Sequence, residues 1–396
     1  MRIGSSHLSY CTNIHPGESW DEIRGNLEHH LPQVKRRVSP NAPFGVGLRL
    51  SALAARSLSA PETLAQFVDF LRRNDLYVFT INGFPYGPFH GTRVKEGVYL
   101  PDWREEERLE YTNLLADLLA ALLPDGEHLG SISTVPGAFK PNAETPHAIG
   151  QIADLLIRHV AHLLGIERKT GRTIVLALEP EPCCLLETVA ETVAFFRDHL
   201  YSRRAAATLA ALAGLEVHDA DAALHRHLGA CLDLCHAAVE FEDPADCLDT
   251  LAGAGIPIAK VQVTAGLRIP RVGADSVAGL QRFDDGVYLH QVVERAAGAL
   301  HRYVDIDAAC ASDGWRSGNS EWRVHFHVPV YAEDLDGFSS TQPFVRAVLA
   351  LHRQKMRTPH LEVETYTWSV LPAHARNVPI DEAIARELLW VQRELA

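Results

Sequence analysis

Cysteine is scarce in this chain and not spaced for a metal or a redox pair. The 396 residues include seven, at positions 11, 183, 184, 231, 235, 247 and 310, with no CxxC spacing among them. An odd count without that spacing excludes a zinc–cysteine knuckle, argues against a disulfide framework and makes the cytoplasm the expected compartment. No uncharged apolar stretch reaches the ~18 residues of a membrane span. The opening MRIGSSHLSYCTN lacks the apolar run of a secretory leader. Basic residues are outnumbered, 37 Lys and Arg against 50 Asp and Glu, for a net charge of −13. That balance excludes a protein that coats nucleic acid by neutralising phosphates. No GxGxxG follows the first strand-like segment and no GxSxG occurs, so neither a dinucleotide loop nor a nucleophile elbow is in place. Repeats and Gly/Ser linkers are absent as well.

What is present is ordinary globular composition, 47% hydrophobic and 22% charged, with 21 histidines. Short apolar runs alternate with longer amphipathic ones. Strands are expected at 2–10, 45–51, 76–82, 129–135, 173–179, 229–235, 257–264 and 360–366. Helices are expected at 59–73, 104–123, 145–167, 186–198, 243–253, 289–299 and 341–354, with a first one beginning near Asp21 to His30 and a closing one at 380–396. Eight buried strands each followed by a helix predict a (β/α)8 TIM barrel. A further strand-like run at 323–330 fits an elaborated connection, 269–330, before the last strand; a nine-stranded open sheet is the alternative. Residues 200–228 are expected to form a helical insertion, and 1–396 a single barrel domain.

Polar residues fall where a barrel would use them, at the C-terminal strand ends. ALEPEP carries Glu179 and Glu181, CLDLCH carries Asp233 and His236, KVQVTAGLR carries Gln262 and Arg268, and HLEVETY carries Glu362 and Glu364. One acid buried alone pays a large desolvation cost, and several converging acids repel. A divalent cation answers both problems, and oxygen donors favour Mn2+ or Mg2+, with Zn2+ as the alternative. Parity along the last strand does not separate Glu362 from Glu364. Other residues expected to line the pocket are His15 after the first strand, Asn82, Phe84, Tyr86 and Phe89 in TINGFPYGPFHG (80–91), Lys140, Glu181, Arg268, and His325 with His327 in HFHVPV. His7 reads either as a pocket residue or as a satisfied core histidine.

At these positions the chain resembles the xylose-isomerase-like barrel superfamily of sugar isomerases, epimerases and endonuclease-IV-type enzymes. Glu179, Asp233 with His236 three residues on, and Glu364 match its pattern in order. Gln262 stands where that pattern has His, and Arg268 follows it at the interval seen in the epimerase branch. The resemblance implies metal ligands at Glu179, Asp233, Gln262 and Glu364. It also implies proton transfer by Glu179 and Glu364 through a metal-stabilised enediolate, with His236 orienting a substrate oxygen. In endonuclease-IV-type members a segment comparable to HFHVPV supplies further metal ligands.

HLSYCTNIHPGESW (7–20), TINGFPYGPFHG (80–91), LEPEPCCLLET (178–188) and ETYTW (364–368) are similar to EboE-type metabolite-traffic proteins. That likeness implies a sugar- or cyclitol-like metabolite and a functional link to a prenyltransferase and a sugar-phosphate cyclase. A homo-oligomer is compatible with the chain. Three functions compete: a metal-dependent isomerase or epimerase, a metal-dependent phosphoesterase, and a metabolite-binding or traffic protein without turnover.

Overall fold

A computed structural model describes residues 1–88, 95–284, 286–335, 337–368 and 378–396. Phe89, expected above to wall the pocket, lies outside the described residues. The strands in chain order are β1 (Arg2–Ile3), β2 (Ser6–Tyr10), β3 (Phe44–Arg49), β4 (Leu76–Asn82), β5 (Leu129–Thr134), β6 (Thr173–Leu178), β7 (Leu228–Asp233) and β8 (Ile258–Val263). They continue as β9 (Ala265–Ile269), β10 (Val292–Ala296), β11 (Ala299–Tyr303), β12 (Ser320–Val328), β13 (Asp334–Leu335), β14 (Phe338–Ser340) and β15 (His360–Val363).

One sheet runs β1-β2-β15-β8-β7-β6-β5-β4-β3. Apart from β1, which folds back antiparallel on β2, its neighbours are parallel. The eight parallel strands are the eight expected from the apolar runs, and they form a nearly closed TIM barrel. At the seam between β2 and β3 the Ser9 hydroxyl donates to Gly45 O (2.7 Å) and accepts from Gly47 N (3.0 Å). A parallel bridge joins Cys11 and Gly47. Gly47 has a second duty: a Cβ there would lie 1.8 Å from the Glu362 carboxylate oxygen and 2.7 Å from Tyr10 O. The barrel interior has room for that carboxylate only because the facing residue has no side chain.

Helices cover the outside. Pro146–Thr170 has the length and apolarity of a membrane-crossing helix, but its apolar residues, among them Ile152, Leu156, Val160 and Leu163, are buried in the core. Residues 200–228 contain two helices, Arg203–Ala213 and Val217–His227, which pack on each other and on that long helix.

Between β8 and β15 the chain builds a second, antiparallel sheet in the order β11-β10-β12-β9-β14-β13. Here one expectation fails. Residues 289–299 form no helix; Val292–Ala296 pairs with Ala299–Tyr303 as a hairpin. Ala297 (φ 49°) and Gly298 (φ 83°) make its turn, both left-handed as a two-residue hairpin turn requires. The alanines had read as helix, but Val292 and Val293 are β-branched and pair on both sides within the sheet. β12 pairs with β9 through a bulge. Val324 faces Leu267 and Val328 faces Ala265, so four steps on β12 meet two on β9. Residues 325–327 lie in that bulge, which re-aims His325 and His327 at the barrel mouth.

Candidate metal centre

Four strand ends deliver the oxygen donors. Glu179 follows β6, its amide anchored on Thr134 O (3.1 Å). Asp233 ends β7, Gln262 sits in β8, and Glu364 follows β15. All four are buried, at 3%, 1%, 0% and 4% exposure. Ligand oxygens of Glu179, Asp233 and Glu364 lie within 4.8 Å of one another. Asp233 is aligned with Gln262 in the β7–β8 ladder.

Their partners are incomplete. Asp233 Oδ1 accepts from Cys235 N (2.7 Å), His236 N (3.1 Å) and Thr264 Oγ1 (2.5 Å), while Oδ2 has no hydrogen-bond partner among the described residues. Glu179 Oε2 and both ends of the Gln262 amide are likewise buried and without a partner among the described residues. Glu364 Oε1 accepts from Asn13 Nδ2 (2.5 Å) and Asn82 Nδ2 (2.9 Å). Orphaned buried polar atoms are costly and rare, and the Glu179 and Asp233 carboxylates that carry two of them converge with Glu364. The donor set therefore fits a hard divalent cation. Burial first, then the charges of Glu364 and Asp233, pushes the Glu179 carboxyl well above its usual range. Burial, then Asp233 and Glu362, pushes Glu364 up to about 8.

Next to this oxygen set stand three imidazoles. His325 Nε2 lies 3.1 Å from both His236 Nε2 and His327 Nε2. The opposite nitrogens are committed: His236 Nδ1 to Pro180 O (2.9 Å), His325 Nδ1 to Gln291 Oε1 (2.7 Å) and His327 Nδ1 to Glu364 O (3.0 Å). A carbonyl oxygen only accepts, so each Nδ1 carries a proton, and in the neutral ring Nε2 turns a lone pair inward. Burial holds His325 well below the ordinary histidine range and His327 down to about 4. Two of the three Nε2 spacings, at 3.1 Å, are near those of neighbouring nitrogens on a tetrahedral cation, since Zn–N bonds of about 2.0–2.1 Å put such nitrogens a little over 3 Å apart. Asp233 Oδ2, 3.9 Å from His236 Nε2 and 3.8 Å from His327 Nε2, stands between the two sets.

Below the oxygen set, Lys260 and Glu362 form an ion pair at 2.6 Å, both fully buried. The structure thus separates the two acids of the last strand: Glu362 answers Lys260 inside the barrel and Glu364 faces the mouth. Lys260→Met leaves the Glu362 charge unpaired and is expected to destabilise the fold by about 3–5 kcal/mol. Urea denaturation measures this, and the Lys260→Met/Glu362→Leu pair should recover most of the loss. A single variant as stable as the unmodified chain would rule out this pairing.

The cavity above the centre is small, with about 60 Å3 of space for the centres of water-sized molecules. Asn82, Glu181, His236, His325 and His327 line it with Glu179 and Glu364. Phe84, Tyr99, Tyr288, Leu289 and Tyr366 form much of the remaining wall. Four residues expected there do not line it. His15 is buried behind it, bonded to Tyr10 OH (3.0 Å) and stacked on His30. Tyr86 packs edge-on against Tyr111. Lys140 is bound by Glu187 and Glu191 (3.0 Å) on the wall of a neighbouring depression. Arg268 is carried off by β9 and pairs with Glu321 at 2.8 Å. His7 is satisfied at the opposite end, between Tyr77 OH (2.9 Å) and Glu127 (3.0 Å). Sequence reasoning missed Asn13, Tyr99, Gln291 and Tyr366. Asn13 carried a signal, a lone amide directly after the first strand; Gln291 was hidden by the helix expected at 289–299.

Comparison with solved structures returns barrels of similar plan. A xylose isomerase-like TIM barrel protein from Mycobacterium smegmatis, in complex with magnesium, is 15% identical, with 98% of this chain and 100% of that one covered, at a TM-score of 0.47. AsbF of Bacillus anthracis, a probable 3-DHS dehydratase of petrobactin synthesis, is 13% identical over 97% of both chains, at 0.45. IolI, with a bound zinc atom, is 11% identical over 98% of this chain and 97% of that one, at 0.44. At such identities the likeness is one of fold. No protein-family profile and no curated protein sequence matches the chain.

Proposed function

We propose that the protein is a metal-dependent isomerase or epimerase acting on a sugar- or cyclitol-like hydroxy-carbonyl metabolite. The observation that carries this reading is the convergence of buried carboxylates, Glu179 and Asp233 each with an unpartnered oxygen beside Glu364, with Gln262 level with Asp233 on the next strand. These four residues would hold the cation, Mn2+ or Mg2+ by their oxygen chemistry. When bound, it would polarise substrate oxygens and offset the negative charge left as a C–H proton departs.

The chain's own groups move that proton. A carboxylate that keeps one oxygen free of the cation can take and return that proton. Glu364 Oε1 is held by two amides, so Oε2 is its working oxygen; with Glu179 Oε2 among the donors that would hold the cation, the working oxygen of Glu179 is Oε1. His236, with its lone pair on Nε2, orients a substrate hydroxyl, and Asn82 can serve a second one. The aromatic walls shed water from the reacting carbon. The likeness of four segments to EboE-type proteins supports a sugar- or cyclitol-like substrate. The test is exchange from deuterated water. With the Mn2+-loaded chain, deuterium should enter the carbon beside the carbonyl of a substrate drawn from a ketose, cyclitol-ketone and sugar-phosphate panel, and Glu179→Gln should abolish it. A panel without exchange despite bound Mn2+ overturns the proposal.

The three inward imidazole lone pairs favour a second reading, hydrolysis of a phosphoester with a second cation on His236, His325 and His327. Metal content decides between them. Saturation with Zn2+ at about two ions per chain supports hydrolysis, and saturation at one supports the isomerase.

A further inference from the structure

We infer that Gln291 is a positioning residue that sets the tautomer of His325, and so which nitrogen that ring presents to the cavity. The inference rests on the reading of the imidazoles as cation ligands. It concerns how one of them is prepared.

Gln291 immediately precedes β10 and is 1% exposed. Its backbone carbonyl accepts from His325 N at 2.9 Å, so main-chain pairing brings the two side chains together. The orientation of its amide follows from its neighbours. Nε2 faces Tyr99 OH (2.9 Å), Glu181 Oε1 (3.2 Å) and Pro182 O (3.2 Å). Tyr99 spends its own proton on Glu181 Oε1 at 2.7 Å, so its oxygen is an acceptor there. All three neighbours of that end accept. A flipped amide would set its carbonyl against the Glu181 carboxylate and the Pro182 carbonyl, which is repulsive.

Oε1 is therefore the end that meets His325 Nδ1, at 2.7 Å. The proton between them comes from Nδ1, and Nε2 keeps its lone pair toward His236 and His327. The other two rings are set in the same sense, by Pro180 O and Glu364 O. Those are main-chain carbonyls beyond the reach of substitution. Gln291 is the one side chain of the three acceptors, so it alone makes the device testable. It also couples the imidazoles to Glu181 and Tyr99, two further groups of the cavity wall.

The experiment is 15N spectroscopy of histidine-labelled, EDTA-treated protein at pH 7.5, with the His325 signals assigned by their loss in His325→Ala. The expected result is a protonated Nδ1 and an unprotonated Nε2 in His325. Gln291→Leu should shift His325 toward the Nε2–H tautomer, leave His236 and His327 unchanged, and weaken Zn2+ binding about 10–100-fold, as removal of an outer partner of a histidine ligand does. Gln291→Glu keeps an acceptor at Oε1, with its own proton held at Oε2 by the acceptors Tyr99, Glu181 and Pro182, and should restore the wild-type tautomer, which a merely structural role would not do. An Nε2–H ring in the wild-type chain, or a Gln291→Leu spectrum identical to wild type, overturns the inference. If Gln291→Leu does not fold, the wild-type spectrum and Gln291→Glu still decide. Should the tautomer be as stated while Zn2+ titration leaves all three rings unperturbed, the inference holds and the reading of the imidazoles as ligands fails instead.

Discussion

Asp233→Asn is expected to cut cation affinity at least about 100-fold while leaving the metal-free chain as stable as the unmodified one or more so. Removing even an outer partner of a ligand costs 10–100-fold, and Asp233 stands between both donor sets. The two carboxylate oxygens do separate work. Oδ1 takes three hydrogen bonds and holds the turn into the helix Leu234–Val239. Oδ2 has no partner and faces two imidazole nitrogens at 3.8 and 3.9 Å. Asparagine keeps an acceptor at Oδ1. In place of Oδ2 it puts an amide that donates to those lone pairs, and it removes one of three crowded carboxyl groups. Thermal melting in EDTA and in Mn2+ checks both halves: the EDTA midpoint holds or rises, and the Mn2+-induced rise disappears. Asp233→Ala should lose the helix cap as well, costing about 1 kcal/mol without metal. A Mn2+ response in Asp233→Asn equal to that of the unmodified chain would remove Asp233 from the centre.

Why those donors were readable from the sequence, and others not, has a physical basis. A parallel barrel strand is buried on both faces, so a polar residue inside its apolar run is conspicuous. Asp233 in CLDLC and Gln262 in KVQVT stand out for that reason. The eight strands were readable on the same ground. Parity tells which face a residue takes but not how deep it lies, so Glu362 and Glu364 looked alike until Lys260 was seen to face only the former. Spacing suggested that Arg268 reaches the pocket, but the short step from β8 into β9 starts a new antiparallel sheet and takes Arg268 with it. His325 and His327 were visible as residues of one face; the bulge that aims them was not, since it depends on pairing with a strand more than fifty residues earlier. Gln291 gave no signal because its meaning lies in three acceptors from distant segments, Tyr99, Glu181 and Pro182.

The metal-free chain should lose stability as pH rises from 6.5 to 8, and a cation should reverse that trend. The sign follows from which state holds more protons. Glu364 is pushed up to about 8, chiefly by burial with Asp233 and Glu362 adding, and Glu179 is raised in the same way. Away from the centre, burial raises Glu387 to about 8 and Glu240 and Glu242 to about 7. The folded chain keeps these protons at pH 6.5 while the unfolded chain has released them. Raising the pH therefore withdraws stability until each folded pKa is passed. Histidines act oppositely but lower down: His325, and His327 at about 4, withdraw stability as pH falls below 6.5. Between 6.5 and 8 the opposing groups are the buried amine of Met1, held down to about 4 by burial and Lys35, and the histidines that burial lowers, His7, His159, His227, His325, His327, His352 and His360. The unfolded histidines have released nearly all their protons by about pH 7.5, so the fall is steepest from there to 8, where the carboxyls outweigh the single amine. For Glu364 alone the part of the shift that falls between pH 6.5 and 8 corresponds to roughly 2 kcal/mol at 1.36 kcal/mol per unit, shared in practice with Glu179. That amounts to a fall in the melting midpoint on the order of 2 °C. A cation must displace the same protons to bind, so its affinity should climb over this window. Melting curves in EDTA and in Mn2+ should therefore diverge from pH 6.5 to 8. Glu364→Gln, which has no proton to release, should flatten the EDTA slope. Parallel curves, or an EDTA slope unchanged in Glu364→Gln, would show that the acids at the barrel mouth are charged without a cation and that their burial is balanced in some other way.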